Sequence, residues 1–511
     1  MISAIQAAPL PQPHSKSWSA AQSHALEVLT EQLTLSTEQL DMLANEFVRQ
    51  MRTGLAVSDT SDLAMIPTYV TGRPNGTERG CYLALDLGGT NLRVCLITLK
   101  GGHELETQQR MFKVSQELQE AEVSKLMEFI ALSIKDFLAR DHINATLVEH
   151  ASDSDRLEMG FTFSFPVSQT AIDAGMLLRW TKGFSCAGAV GHDIVHLLQT
   201  ALDQNDVKVH VAALVNDTVG TLLAHAYTYP NTCLGAIFGT GTNGAYLENT
   251  KNVPKLKTTA QEMVINIEWG NFDKDKTVLP VTIYDNKVDR ESINPGLQVF
   301  EKMISGMYLG EITRNVLLHL IDQRLLFDGK SSTVLNRQWG LEAATMSAIE
   351  DDKSPNLIPT SQILESALDI GLHTLADREI VQRVCHLVGQ RAARLSAMAT
   401  AAVIRQGLSG STGGDSSGIL REYRHVLRAG GDESRVQDST EALVEPIHVG
   451  IDGSVFEHYP GFRAAMNQTL EELLGPAAAR VVRLETTKDG SGVGAALAAL
   501  MAHKDAMAAR K

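Results

Sequence analysis

The sequence predicts an α/β protein built from two related halves, on three observations. At 511 residues the chain exceeds what one hydrophobic core organises, so two large lobes or three ordinary domains are expected. A strand, a glycine turn and a second strand are readable from Cys81 and again from Cys233. Long segments with apolar residues at helical spacing fill most of the remainder.

Taken in order, residues 1–22, with Pro9, Pro11 and Pro13 among Ser and Gln, read as a flexible tail. Helix follows: Ser36 and Gln39 form a capping-box pattern, Leu40, Leu43, Phe47 and Met51 repeat at helical spacing, and Gly54 stands where a C-cap belongs. YLALDL, Gly88-Gly89-Thr90-Asn91 and LRVCLITL make a hairpin, echoed by CLGAIF, Gly239 to Gly244 and AYLE. Between the copies lie the apolar-aromatic GFTFSFP (160–166) and a strand-like VKVHVAALV (207–215) that runs through Asn216-Asp217 into the helical TVGTLLAHAY. The stretches 296–321 and 379–404 each read as one long helix. LSGSTGGDSSG (408–418) and the polar sequence up to about Glu445 read as a mobile surface loop. The chain closes with HVGIDGSVF (448–456), VVRLETT and Asp489-Gly490-Ser491-Gly492-Val493-Gly494 before an alanine-rich helix, again strand, turn and helix.

Composition narrows the function. The formal net charge of -15 disfavours nucleic acid and anionic membrane as partners. Five scattered cysteines lack zinc or redox spacing and point to a reducing compartment; no leader-like or bilayer-length apolar run is present, so a cytoplasmic protein without a transmembrane segment is expected.

Glycine turns let backbone amides approach a polyphosphate closely, and two such turns can grip one nucleotide from both sides. Asp86 would add a carboxylate suited to Mg2+ or its water, and Thr90 and Thr242 hydroxyl donors. Each hairpin alone is equally well read as a turn without a ligand. Gly239 to Gly244 fits G-x-G-x-x-G, but a dinucleotide fingerprint must open a helix, and AYLE continues as strand. No protein-kinase signature set or Walker A sequence occurs. Asp217 is the best general-base candidate, projecting from an Asn-Asp-Thr turn after a strand; it could equally cap the helix that follows. Asn216, Asn243, Glu268 and Glu301 are groups of the kind that hold sugar hydroxyls, whereas Glu301 and Lys182 are solvated charges by default.

Together these segments resemble the hexokinase family from about residue 25 to residue 500. LALDLGGTNLRV (83–94) is similar to its first phosphate motif, GFTFSFPVSQ with RWTKGF to its sugar segment, and VNDTVGTL (215–222) to the region of its catalytic aspartate. IFGTGTNGAY is similar to the second phosphate motif, and INIEWGNFD, PGLQVFEKMISGMYLGE and HVGIDGSVF with DGSGVGAAL to the later sugar and adenosine segments. The resemblance implies an actin-like ATPase (ribonuclease H-like) fold, two lobes with mixed sheets around a deep cleft. It implies large-lobe helices in 23–79, a small lobe of 80–216, a large lobe of 217–489 with an insert at 407–446, and a helix 490–511 returning to the small lobe.

The implied reaction is ATP-dependent phosphorylation of a hexose 6-hydroxyl, with Asp217 as base and Asp86 serving Mg2+ through water. Ser164, Thr181, Lys182, Asn216, Asn243, Glu268 and Glu301 would hold the sugar; Gly88, Gly89, Thr90, Asn91, Arg93, Arg110, Thr240, Thr242, Gly453 and Ser454 would hold ATP. The family permits a monomer or a homodimer. Three features depart from its pattern: the long insert, Ile451 where a small residue is usual, and Arg110 and Ser115 where Lys and Pro are favoured. The alternative reading is a hexokinase-like sugar-sensing regulator that turns over little.

Overall fold

The computed structural model describes residues 17–140, 142–143, 146–147, 156–180, 183–409 and 445–509. The expected loop at 410–444 therefore lies outside the described residues, as do Thr181 and Lys182.

The first helix, Ala20–Leu33, begins inside the segment expected to be tail; Ser19 and Gln22 cap it with the same reciprocal box that Ser36 and Gln39 form on Thr37–Ala56. Leu40, Phe47 and Met51 seat the second helix in the largest of three buried clusters, with Phe238, Trp269 and Phe300.

Two sheets carry the same plan. In the first, β2 (Arg79–Leu87), β3 (Asn91–Gly101) and β4 (Glu104–Lys113) form an antiparallel meander, and β5 (Leu157–Phe163) and β8 (Val209–Val215) join in parallel, in the order β4-β3-β2-β5-β8. In the second, β9 (Thr232–Phe238), β10 (Thr242–Asn249) and β11 (Glu262–Asn266) form the meander, β12 (Ile447–Asp452) and β13 (Val482–Thr486) add in parallel, and β1 (Ile66–Pro67) extends the edge. The hairpin of β6 (Val167–Ala171) and β7 (Ala174–Leu177) follows β5 as a separate two-stranded sheet. The parallel strands are near-continuous apolar runs because both faces are covered.

The helices Asp217–Thr228 and Gly490–Ala509 lie back to back between the sheets. Leu222 and Leu223 of one join Ala245 and Leu247 of the second sheet, while Ala495 and Ala496 of the other join Ala84 and Cys95 of the first, in one buried cluster. A Cβ at Gly494 would stand 2.0 Å from the Gly220 carbonyl oxygen, so only glycine allows this crossing.

The stretch expected as one helix over 296–321 is two, Val299–Ile304 and Gly306–Asp322, divided at the fully buried, extended Ser305. The break frees Gly306 N–H and Met307 N–H to donate to the carbonyls of Gly239 (2.8 Å) and Thr240 (3.2 Å). Ile451 on β12 is fully buried in the same large cluster as Phe238 and Trp269, where it adds volume to the interior.

Candidate functional site

At the end of β8, Asn216 is the N-cap of the following helix: its Oδ1 accepts from Thr218 N–H at 2.9 Å and from the Thr218 hydroxyl at 2.6 Å. Asp217 is the first helical residue, half-buried, and its Oδ1 also accepts from Thr218 N–H at 2.9 Å. Capping is thus shared, with the N-cap position itself held by Asn216.

Three further acids feel the charge of Asp217. Burial raises the carboxyl of Glu268 above its ordinary value; amide bonds from Asn266 and Asn243 and the Arg179 charge oppose the rise, and Asp217 adds to it. Glu301 is raised to about 7, mainly by burial and further by Glu268 and Asp217, against the bond from Thr242 N–H. Asp452 is raised chiefly by burial, with Asp217 adding and Arg93 opposing. Buried carboxyls that share a field without a cation to match each one mark a site built for polar ligands. Glu268 turns in here because its backbone is left-handed, with φ 58°. Asn243 Nδ2 donates to Glu268 Oε1 at 2.9 Å.

Ser164 follows β5, partly buried, beside rings that brace its segment to RWTKGF: Phe165 meets Trp180 edge-on at 5.0 Å and Phe184 at 5.2 Å, and Trp180 Nε1 donates to Cys186 O at 2.8 Å.

The first glycine turn, Gly88 to Asn91, joins β2 to β3. Gly88 N–H donates to Asn91 O at 3.0 Å, and Gln119 Nε2 donates to Gly89 O at 2.6 Å. Ser115, in place of the family's proline, caps the short helix Gln116–Gln119 that carries this amide. Asp86, at the end of β2, accepts through Oδ2 from Arg93 at 2.8 Å and Ser491 Oγ at 2.8 Å, while Arg93 also reaches Asp489 at 3.1 Å.

The second turn, Gly239 to Gly241, joins β9 to β10. Thr240 belongs to it, and Thr242 begins β10 with its hydroxyl accepting from Trp269 Nε1 at 2.9 Å. Gly453 presses on it at φ 120°; a Cβ there would lie 2.4 Å from the Phe238 carbonyl. Ser454 opens the short helix Ser454–His458 beside it.

Arg110 does not join this group. Its register partner across β3 is Val94, whereas Arg93 opposes Met111, so the two arginines face opposite sides of the sheet. Arg110 bonds Asp136 and lies over the Phe112 ring at 4.5 Å. Conversely, Asn266, Gln119, Asp489 and Ser491 bond to the chosen residues, and Asp452 adjoins Gly453 and feels Asp217, without a role assigned to any of them from sequence. Asn266 lies in INIEWGNFD, Asp452 in HVGIDGSVF and Asp489 and Ser491 in DGSGVGAAL, so the resemblance covers their segments but assigns them no role, and Gln119 lies in none of these segments.

Among the described residues no set of three His, Cys, Asp or Glu side chains is arranged to hold a metal ion. Asp86 nevertheless suits one bound mainly by phosphates and water, because its Oδ1 accepts no bond within the described residues.

Residues 25–227 match one family model described as Hexokinase, and residues 233–501 match a second with the same description. The chain belongs to the hexokinase family. It is 43% identical over 492 residues to the "Glucokinase" of Aspergillus niger, covering 90% of this chain and 93% of that protein. It is 36% identical over 488 residues to "Hexokinase-1" of Saccharomyces cerevisiae, covering 93% and 91%. Its fold matches "Hexokinase from Schistosoma mansoni complexed with glucose" with a TM-score of 0.75 at 34% identity, covering 94% of this chain and 99% of that one. This hexokinase is therefore an α/β enzyme of the actin-like class that phosphorylates a hexose, the entry reaction of glycolysis, with ATP as substrate and a divalent metal implied by the family. Nothing in these likenesses favours the regulator without turnover. No helix among the described residues is long and apolar enough to cross a membrane.

Proposed function

We propose that Asp217 is the general base that takes the proton from the 6-hydroxyl of a bound hexose, glucose being the first to test. What supports this reading is the placement of a half-buried carboxylate at the first turn of the helix that follows β8, with its charge felt by Glu268, by Glu301 and by Asp452, the neighbour of Gly453. Asn216, Asn243, Glu268 and Glu301, with Ser164 and, outside the described residues, Thr181 and Lys182, orient the sugar. Gly88 to Asn91 with Arg93, and Thr240, Thr242, Gly453 and Ser454, hold the nucleotide.

The 6-oxygen attacks the γ-phosphorus in line; a new O–P bond forms, the bond to the β,γ-bridging oxygen breaks, and the proton passes to Asp217 as ADP leaves. Asp86 would hold Mg2+ through water, and the ion would neutralise charge on the β- and γ-phosphates. Supporting a lobe division at 80–216 with 490–511 against 23–79 with 217–489 is the repeated sheet plan. Five free cysteines support a cytoplasmic enzyme.

The test is a coupled assay for ATP-dependent hexose 6-phosphate. Asp217→Ala is expected to abolish turnover while glucose binding stays largely intact; unchanged activity would remove the assignment.

A further inference from the structure

Asn266, within INIEWGNFD but given no role by the sequence, is 5% exposed at the last position of β11, and both of its side-chain bonds go to candidate site residues. Its Oδ1 accepts from Asn243 Nδ2 at 2.9 Å, and its Nδ2 donates to Glu268 Oε1 at 2.7 Å. Asn243 Nδ2 gives its other hydrogen to the same Glu268 oxygen at 2.9 Å, closing a ring of three side chains. Asn243 Oδ1 accepts from Gly244 N–H at 2.7 Å.

Counting donors and acceptors decides what this ring offers a ligand. An amide has two hydrogens and one oxygen with two lone pairs. Both hydrogens of Asn243 are engaged, so it meets an incoming hydroxyl as an acceptor, through the remaining lone pair of Oδ1. Glu268 Oε1 takes both amide bonds, and Oε2 accepts none within the described residues, which leaves Oε2 for substrate. Asn266 can set this arrangement because its own backbone is fixed between Ile66 and Ala245 in the sheet. Glu268, in contrast, sits on a left-handed turn residue after the strand ends.

We propose that Asn266 is a positioning residue for sugar recognition: it fixes which way the Asn243 amide faces and aims the Glu268 carboxylate, without itself meeting the substrate. The proposal rests on the sugar placement given above. It separates from mere packing through charge. Asn266→Asp keeps the size and the acceptor for Asn243, but sets a second carboxylate oxygen against Glu268 Oε1 where a donor stood. Two carboxylates at that distance share one proton; singly protonated, an O–H takes the place of the lost N–H, and fully ionised they repel. The other groups acting on Glu268, namely Asp217, Glu301 and Arg179, are unchanged.

The experiment measures glucose affinity by intrinsic fluorescence, and the KM for glucose and for ATP, on the full chain between about pH 5.5 and pH 8.5, a window around the ordinary histidine and raised carboxyl range. Asn266→Asp is expected to weaken glucose binding by about ten- to a hundredfold at the alkaline end, to recover most of it at the acid end, and to leave the ATP KM within about threefold. Asn266→Ala, which removes the donor and the acceptor without adding charge, is expected to weaken glucose at every pH, and it decides the matter if the aspartate variant does not fold. Glucose affinity unchanged in either folded variant, or a loss independent of pH in Asn266→Asp and equal for glucose and ATP, overturns the proposal. Failure of the unaltered enzyme to bind glucose would instead overturn the sugar placement on which it rests.

Discussion

The two glycine turns look alike in sequence and are built very differently. The second is a floor: its carbonyls take N–H groups from Gly306 and Met307, Glu301 holds Thr242 N–H at 2.9 Å, and Gly453 packs against the Phe238 carbonyl. The first is an edge. Thr90 and Asn91 are exposed, and the turn is held by its own Gly88–Asn91 bond, by Val114 N–H on Thr90 O and by the Gln119 amide. The same local motif is therefore braced from several elements in one sheet and held by a few bonds at the edge of the other. On the proposal that both turns hold the nucleotide, a braced turn would fix its phosphates while a lightly held one would admit and release it.

Substitutions can break that contrast. The largest effect is expected at Gly453, where alanine must adopt φ 120° with its Cβ 2.4 Å from the Phe238 backbone. Gly453→Ala should lower unfolding stability by at least about 2 kcal/mol in urea titration and raise the ATP KM, since the floor itself shifts. A variant with native stability and KM would show that the floor is not rigid.

Glu301→Gln sharpens the comparison through pH. The Glu301 carboxyl is raised from 4.5 to about 7, so its proton stabilises the folded enzyme below 4.5, and that contribution is lost as pH rises through 7. The glutamine variant should therefore flatten the stability profile between those values and, at pH 8, unfold later than the parent by up to on the order of 3 kcal/mol. Thermal unfolding without sugar across this range is the check; parallel profiles would mean the carboxyl is not burdened by burial.

At the first turn, the expected effect is smallest. Gln119→Ala removes one bond to Gly89 O and should raise the ATP KM roughly two- to tenfold in steady-state kinetics, with the hexose KM unchanged. A hexose effect as large as the nucleotide effect would erase the distinction between the turns.

Both hairpins were legible because alternation and glycine turns are local signals, and the flanking parallel strands because apolar runs are. The back-to-back helices were reachable only through resemblance, since nothing in GTLL or SGVG says which surface each will meet. Ser305 is hidden in the sequence because the apolar periodicity runs straight through it; its break answers the carbonyls of Gly239 and Thr240, far earlier in the chain. The carboxylates and amides of the site were legible as residue types, yet their partners were not. Asn266 looks like any strand polar residue until the sheet sets it beside Asn243, and Arg110 looks like a phosphate ligand until the register of β4 turns it from Arg93.

The account turns on Asp217 as proton acceptor, and Asp217→Asn tests it most directly. The amide keeps the shape and can still accept from Thr218 N–H, but it cannot take a proton. Rapid-quench measurement of a single turnover should show phosphoryl transfer slowed by about a hundredfold or more, with glucose and ATP binding within a few-fold of the parent. Transfer within tenfold of the parent rate would contradict the account.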